Sequence, residues 1–221
     1  MSASALPLLS LLETRGVGVL VEKQHTVPDT YPLTLNALVA GCNQKTSRHP
    51  ILEASDAEAQ AALDHLKSLS LVVESSGGRV MRYAHNAGRV LQLPPQSTAI
   101  LATLFLRGPQ TAGELRINTE RLHRFGDISA VEAFLTELAE RPAGSLVREL
   151  PRRPGERETR WVHLLSGEPG PEAFAAPPSA ASAEAVSIGE IAALKAHVDR
   201  LESDVASLRA SLEQLRRDLG A

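Results

Sequence analysis

Aromatic side chains are scarce, at 3% of 221 residues, with one Trp, two Tyr and four Phe. Any core must therefore be built mainly from Leu, Val, Ala and Ile, and the 43% apolar content is enough for that. A single cysteine, Cys42, excludes an internal disulfide and fits a reducing compartment. Neither charge sign is in large excess: 23 Lys and Arg against 26 Asp and Glu leave a net charge of −3, so no global basic field advertises nucleic acid. No apolar run approaches the roughly 20 residues of a membrane span. The short apolar run near the start has no basic residue before it and Glu13 after it, which is not a signal-peptide pattern. These absences predict a cytoplasmic protein that makes no use of a membrane. Charge is also uneven along the chain. Residues 1–90 are net 0, residues 91–166 net +1 and residues 167–221 net −4, so any basic binding surface must be local.

What is present is an internal repeat. "RYAH" at 82–85 recurs as "RWVH" at 160–163, and "AQAALDHL" (59–66) matches "VEAFLTEL" (131–138) in apolar spacing. Each helix-like run is followed by two β-rich segments. These are "LSLVVES" and "RVMRYAH" around Ser76-Gly77-Gly78, then "SLVREL" and "ETRWVHLL" around "PRRPG". A Gly-rich or Pro-Gly break between such segments signals a hairpin. The offset between copies grows from 72 at the helix to 78 at the hairpin, which predicts a second hairpin loop longer by six.

Helix starts repeat as well. Ser10 with Glu13, Ser55 with Glu58 and Thr111 with Glu114 are capping-box patterns. The first predicts a helix to about Gln24, with Gly16 and Gly18 inside it, each costing about 1 kcal/mol against Ala. "YPLTLNALVAGC" reads as a short second helix, and Ser55 opens a third that ends near Leu69. The second copy gives Gln96–Leu106, "AGELRI", and a helix from Asp127 or Ser129 to about Glu140. Helix, helix, helix, hairpin is the order of a winged helix-turn-helix. The predicted fold is α+β, mainly α: tandem winged helix-turn-helix domains at 8–90 and 91–167, a linker and a coiled-coil helix. Residues 168–186, rich in Pro, Ala, Ser and Gly, read as a disordered linker.

Residues 187–220 carry the cleanest periodicity. Ile191, Leu194, Val198, Leu201, Val205, Leu208, Leu212, Leu215 and Leu219 alternate steps of three and four. Mostly β-branched residues at a with Leu at every d predict a parallel homodimer. Facing pairs such as Glu190 with Lys195 and Asp204 with Arg209 are opposite in charge and fit that pairing.

The stretch "EKQHTVPDTYPLTLNALVAGCNQKTSRHP" resembles the YceH family of uncharacterised bacterial proteins, as do "LRGPQTAGELR" and "RWVHLLSG". The resemblance covers roughly residues 8–167. It implies a tandem winged-helix fold, and it supplies no activity and no catalytic residues. The linker and heptads lie outside it.

The candidate chemistry is thin. Cys42 and His49 lie across a turn with no third orienting group, so Cys42 reads as a core residue. The seven histidines show no metal-ligand spacing, and "SSGG" lacks the Lys-Ser/Thr of a phosphate loop. His85 and His163, equivalent in the two copies, read as packing or strand-end hydrogen-bonding residues. The chain is expected to be no enzyme and to hold no cofactor or metal. For nucleic acid, the third helices begin with Asp56, Glu58, Asp127 and Glu132, which phosphates would repel. The possible contacts are Lys45, Arg48, Arg79, Arg152, Arg153 and Arg157, of which the last three form an Arg-rich second wing. Interleaved Glu149, Glu156 and Glu158 make cross-strand ion pairs the plainer explanation. Two readings stand. One is a dimeric interaction or scaffold module with an unknown protein partner. The alternative is a regulator that binds duplex DNA through its second wing. The plainer reading of "CNQKTSRHP" is the exit of the second helix and a structured polar turn, in which Asn43, Ser47, Lys45 and Arg48 satisfy backbone groups and face solvent; a contact role for Lys45 and Arg48 is the sharper alternative.

Overall fold

Helix starts are set by short side chains. In the structure, a computed structural model describing residues 7–76, 80–152 and 155–169, Ser10 opens α1 (Leu11–Thr26) with a reciprocal cap. Its N–H donates to the Glu13 carboxylate at 2.6 Å, and the Glu13 N–H donates to Ser10 Oγ at 3.3 Å. Thr34 caps α2 (Leu35–Cys42) through the Ala37 N–H. Ser55 and Glu58 repeat the reciprocal cap for α3 (Asp56–Ser68). Two strands follow, β1 (Val72–Ser75) and β2 (Arg82–His85). A single turn, α4 (Ala87–Val90), leads to α5 (Pro95–Arg107). Pro95 sits at the first helical position, where its missing N–H costs nothing. Thr111 with Glu114 caps α6 (Ala112–Asn118), and Asp127 caps α7 (Ile128–Ala139) through the Ala130 N–H at 2.8 Å. Strands β3 (Val147–Leu150) and β4 (Arg160–His163) close the described part. The chain is α+β and mainly helical, and none of its described helices is long and apolar enough to cross a membrane.

The duplication extends to individual hydrogen bonds. Both hairpins are antiparallel, with Val72 opposite His85 and Val147 opposite His163. In each copy the residue just before the cap of the second helix bridges the aromatic of the last strand. Leu33 exchanges bonds of 3.0 and 2.7 Å with Tyr83, and Gln110 exchanges bonds of 3.1 and 2.7 Å with Trp161. Ala59, Leu63 and Leu66 are buried on α3, as Val131, Leu135 and Leu138 are on α7. Tyr83 is buried and its hydroxyl donates to Gln60 Oε1 at 3.2 Å; its counterpart Trp161 is only half-buried.

The second hairpin loop is not six residues longer. Residues 76–81 join β1 to β2 and residues 151–159 join β3 to β4, six against nine, a difference of three. The rest of the offset arises before β3: seven residues (140–146) separate α7 from β3 against three (69–71) between α3 and β1, and α7 is one residue shorter than α3. There Arg141 reaches back to donate to the Leu91 carbonyl at 2.6 Å.

The two copies share one apolar cluster, from Leu9 to Leu165. Its joint is α1 against α5, where burial of Val17, Leu20 and Val21 meets burial of Ile100, Leu101 and Leu104. Gly18 allows the approach, since an added Cβ would lie 3.0 Å from Leu106 Cγ and 3.2 Å from Phe105 Cβ. Gly41 does the same for α2 against α1, with Val19 Cγ1 at 2.5 Å from such a Cβ. Most of the expected linker (168–186) and all of the expected heptad helix (187–220), with Ile191 to Leu215, lie outside the described residues, as do Arg79 and Arg153.

Candidate binding clefts

The polar stretch after α2 is a pinned turn. Asn43 exchanges two hydrogen bonds of 2.8 Å with the Ala54 backbone. Arg15, fully buried on α1, donates to the Cys42 carbonyl at 3.3 Å and the Pro50 carbonyl at 2.8 Å. The His49 N–H donates to the Leu106 carbonyl at 2.8 Å. Lys45 is exposed, but Arg48 is not: its residue exposure is 6%. Its guanidinium donates to Glu22 Oε2 and Gln44 Oε1, each at 2.6 Å, to the Ser47 carbonyl at 3.0 Å and to the Gly41 carbonyl at 3.1 Å. Arg48 satisfies backbone carbonyls as expected, but the expectation that it also faces solvent is corrected: Glu22, one turn from the end of α1, draws it inward. At Glu22 burial pushes the carboxyl up, but hydrogen bonds and charge from Arg48, with Lys23 nearby, outweigh it and hold it below the ordinary carboxylate range. The Cys42 thiol is 1% exposed and burial pushes it up to about 11, the state of a packed core residue rather than a nucleophile.

The outward faces of the third helices are acidic. Asp56, Glu58 and Asp64 are exposed on α3, and Glu132 and Glu137 on α7. Lys67, near the end of α3, is tied to Asp64 at 3.2 Å and Glu74 at 2.6 Å. On the hairpins, Arg82 donates to the Thr30 and Pro32 carbonyls. Arg148 pairs with Glu168, and Arg160 with Glu114 at 3.0 Å and Glu156 at 3.3 Å. Arg152 and Arg157 are exposed and pair with no acid among the described residues.

Two clefts result. The first, about 510 Å³, lies where the ends of α1, α5 and α6 meet the turn after α2. Glu22, Lys23, Ser47, Arg48, Arg107 and Arg121 line it. The second, about 400 Å³, lies between the second hairpin and the starts of α6 and α7. Its floor is Gly113, Ile128 and Trp161, and its rim mixes Arg152 and Arg157 with Glu132, Glu149 and Glu158. Of the sequence-derived contact residues, the structure brings Arg152 and Arg157 to the second cleft and Arg48 into the wall of the first. Lys45 stands apart from both.

The sequence family described as "Protein of unknown function, DUF480" matches residues 9–156. The chain belongs to that family. A UPF0502 protein of Dechloromonas aromatica is 59% identical over 98% of this chain and 100% of its own length. UPF0502 proteins of Methylibium petroleiphilum (58%, covering 98% and 92%) and Burkholderia ambifaria (56%, covering 98% and 91%) are similar too. These alignments span 216 or 217 of 221 residues. The family model ends at residue 156, in line with the expected extent of the resemblance, while the alignments to these UPF0502 relatives continue beyond residue 167.

Two further features of this DUF480 chain bear on its chemistry. His85 and His163 are half-buried, and each Nδ1 is buried without a hydrogen-bond partner among the described residues. Burial pushes both down to about 4; at His85 the charge of His25 adds to it. His163 stands edge-on to Phe105 with centroids 4.9 Å apart, and His85 Nε2 lies 2.6 Å from Gln24 Oε1. The residues that sequence reading missed are Lys23, Arg107 and Arg121 in the first cleft and Ile128 in the second. No local pattern marks them, because each cleft is assembled from segments far apart in the chain.

Proposed function

We propose that this DUF480 protein is a tandem winged-helix protein that works as a non-enzymatic, dimeric interaction module, with the second cleft as its docking surface. The observation that carries this is the acidic outward face of α3 and α7. A winged helix that reads DNA lays its third helix in the major groove, among phosphates. Asp56, Glu58, Asp64, Glu132 and Glu137 would be repelled there. The second cleft suits a peptide instead. Ile128, 44% exposed, and Trp161 offer an apolar floor, and the mixed-charge rim would set orientation. The C-terminal heptads, Ile191 to Leu215, would join two copies in parallel and so present two docking surfaces at once. The alternative is a regulator whose second wing contacts duplex DNA; the exposed Arg152 and Arg157, which form no ion pair among the described residues, favour it.

A pull-down with the full chain tests the docking surface. Ile128→Glu should lose partners that the wild type retains, while the far-ultraviolet dichroism stays unchanged. Identical partner sets for a folded Ile128→Glu protein would remove the second cleft from the account.

A further inference from the structure

The first cleft is lined by more cations than anions. Among its charged lining residues are Lys23, Arg48, Arg107 and Arg121, against Glu22 and Glu120, an excess of two positive charges. Glu22 is already engaged by Arg48 at 2.6 Å and Lys23 at 3.4 Å. Arg107, half-buried in the last turn of α5, pairs with no carboxylate among the described residues. Its one side-chain hydrogen bond there goes to Ser47 Oγ at 2.8 Å, which leaves most of its five donors for something else. Burial, then the charge of Arg48, disfavours its protonated form, and Glu22 offsets this in part.

Ser47, on the wall of the same cleft, has an uncommon backbone conformation. Its φ is 59°, in the left-handed region that costs a non-glycine residue energy. The turn enforces it from both sides, through Arg48 on the Ser47 carbonyl and Asn43 on Ala54. The Ser47 hydroxyl thus stands at the cleft 2.8 Å from the Arg107 guanidinium, with Thr46 next to it on the cleft wall.

We infer that the first cleft binds a small phosphorylated molecule, with Arg107 and the Ser47 hydroxyl holding its phosphate. A phosphomonoester carries about −1.5 to −2 charges at neutral pH, which matches the excess of two cations; a carboxylate would not. Arginine and hydroxyl donors suit its several acceptor oxygens. At about 510 Å³ the cleft is in the size class of small-molecule sites, roughly 300–1,000 Å³, and much larger than a bare phosphate. Leu106, Ile117 and Leu122 give the remainder of the ligand an apolar wall. This inference is independent of the docking role of the second cleft. The rival explanation is that Lys23 and Arg107 merely complement the negative C-terminal ends of α1 and α5.

Thermal melting of the full chain separates the two. The probes are inorganic phosphate, a nucleoside monophosphate and a 20-base-pair duplex, each against sodium chloride at equal ionic strength. Wild-type Tm should rise saturably with phosphate or the nucleotide, by about 5–10 °C at a hundredfold excess over Kd. Arg107→Gln should abolish most of that rise, and Ser47→Ala should weaken it. Without ligand, Arg107→Gln should melt no lower than wild type, because a repulsive neighbour of Arg48 has gone. The inference is overturned if chloride gives the same rise, if no phosphate probe raises the wild-type Tm, or if Arg107→Gln responds as wild type does. A rise with duplex alone overturns the small-molecule assignment in favour of a nucleic-acid backbone. Should Arg107→Gln not fold, the same comparison with Ser47→Ala and Arg121→Gln decides.

Discussion

Lowering the pH from 7.5 to 5 should weaken this protein through two histidines. His85 and His163 end equivalent strands, and in each the buried Nδ1 has no partner among the described residues to share a proton with. Burial holds both imidazoles neutral in the fold, down to about 4 from an ordinary 6.5. The unfolded chain takes up those protons near pH 6.5 and the folded chain only near 4. The contribution to stability is therefore intact above 6.5, falls as the pH drops from 6.5 towards 4, and is gone below that. In this window each histidine loses about 1.4 kcal/mol per pH unit, so at pH 5 about 2 kcal/mol each and about 4 kcal/mol together. Carboxylates do not confuse the reading. At Glu13 and Glu22 burial works upward, but hydrogen bonds from Ser10 and His65, and from Arg48, outweigh it and hold both below their ordinary 4.5. Their contribution is present above 4.5 and lost only as the pH falls through their lower folded values. The assay is urea denaturation at pH 7.5, 6.5, 5.5 and 5.0, for wild type and the double variant His85→Gln with His163→Gln. The wild type should lose stability across the series and the double variant should be nearly flat. A flat wild-type profile, or an unchanged slope in the double variant, would refute the reasoning.

Other expectations follow from the joint and the C-terminal segment. Glu22→Gln should cost about 3 kcal/mol, the low end for breaking a buried pair, because Arg48 keeps the Gly41 and Ser47 carbonyls. That corresponds to roughly 6–12 °C in Tm, and a loss under about 1 kcal/mol would mean that Arg48 does not need the carboxylate. Light scattering should give a dimer mass for the full chain at tens of micromolar and a monomer mass for a chain ending at Gly167. A monomeric full chain contradicts the heptad pairing from Ile191 to Leu215, and a dimeric truncated chain places the main interface elsewhere.

What could be read from sequence was local. Ser10 with Glu13, Ser55 with Glu58 and Thr111 with Glu114 fix helix starts because the capping bonds span three residues, and all three form as expected. Period-two segments around Gly and Pro gave both hairpins. What escaped depends on partners far along the chain. Arg48 looked like a solvent-facing base because nothing near it in sequence announces Glu22, 26 positions earlier. Gly18 could be recognised as a helix-weakening residue, but its use shows only when Leu106 and Phe105 arrive from the other copy. The loop estimate failed because an offset measured at two points does not say where between them the extra residues sit; Arg141 and its neighbours took part of them. The first cleft was illegible for the same reason, since Lys23, Ser47, Arg107 and Arg121 come from four separate segments.

The central claim is that the acidic third helices do not enter a DNA groove, and a salt titration of binding to random-sequence duplex tests it most directly. For the full chain, the account predicts no salt-sensitive binding: a log–log slope near zero, unaltered when Arg152 and Arg157 are replaced by Ala. Each phosphate contact would add about 0.9 to the slope. A slope of several units that shrinks in the Arg152→Ala, Arg157→Ala protein would contradict the claim and establish the second wing as a DNA-binding element.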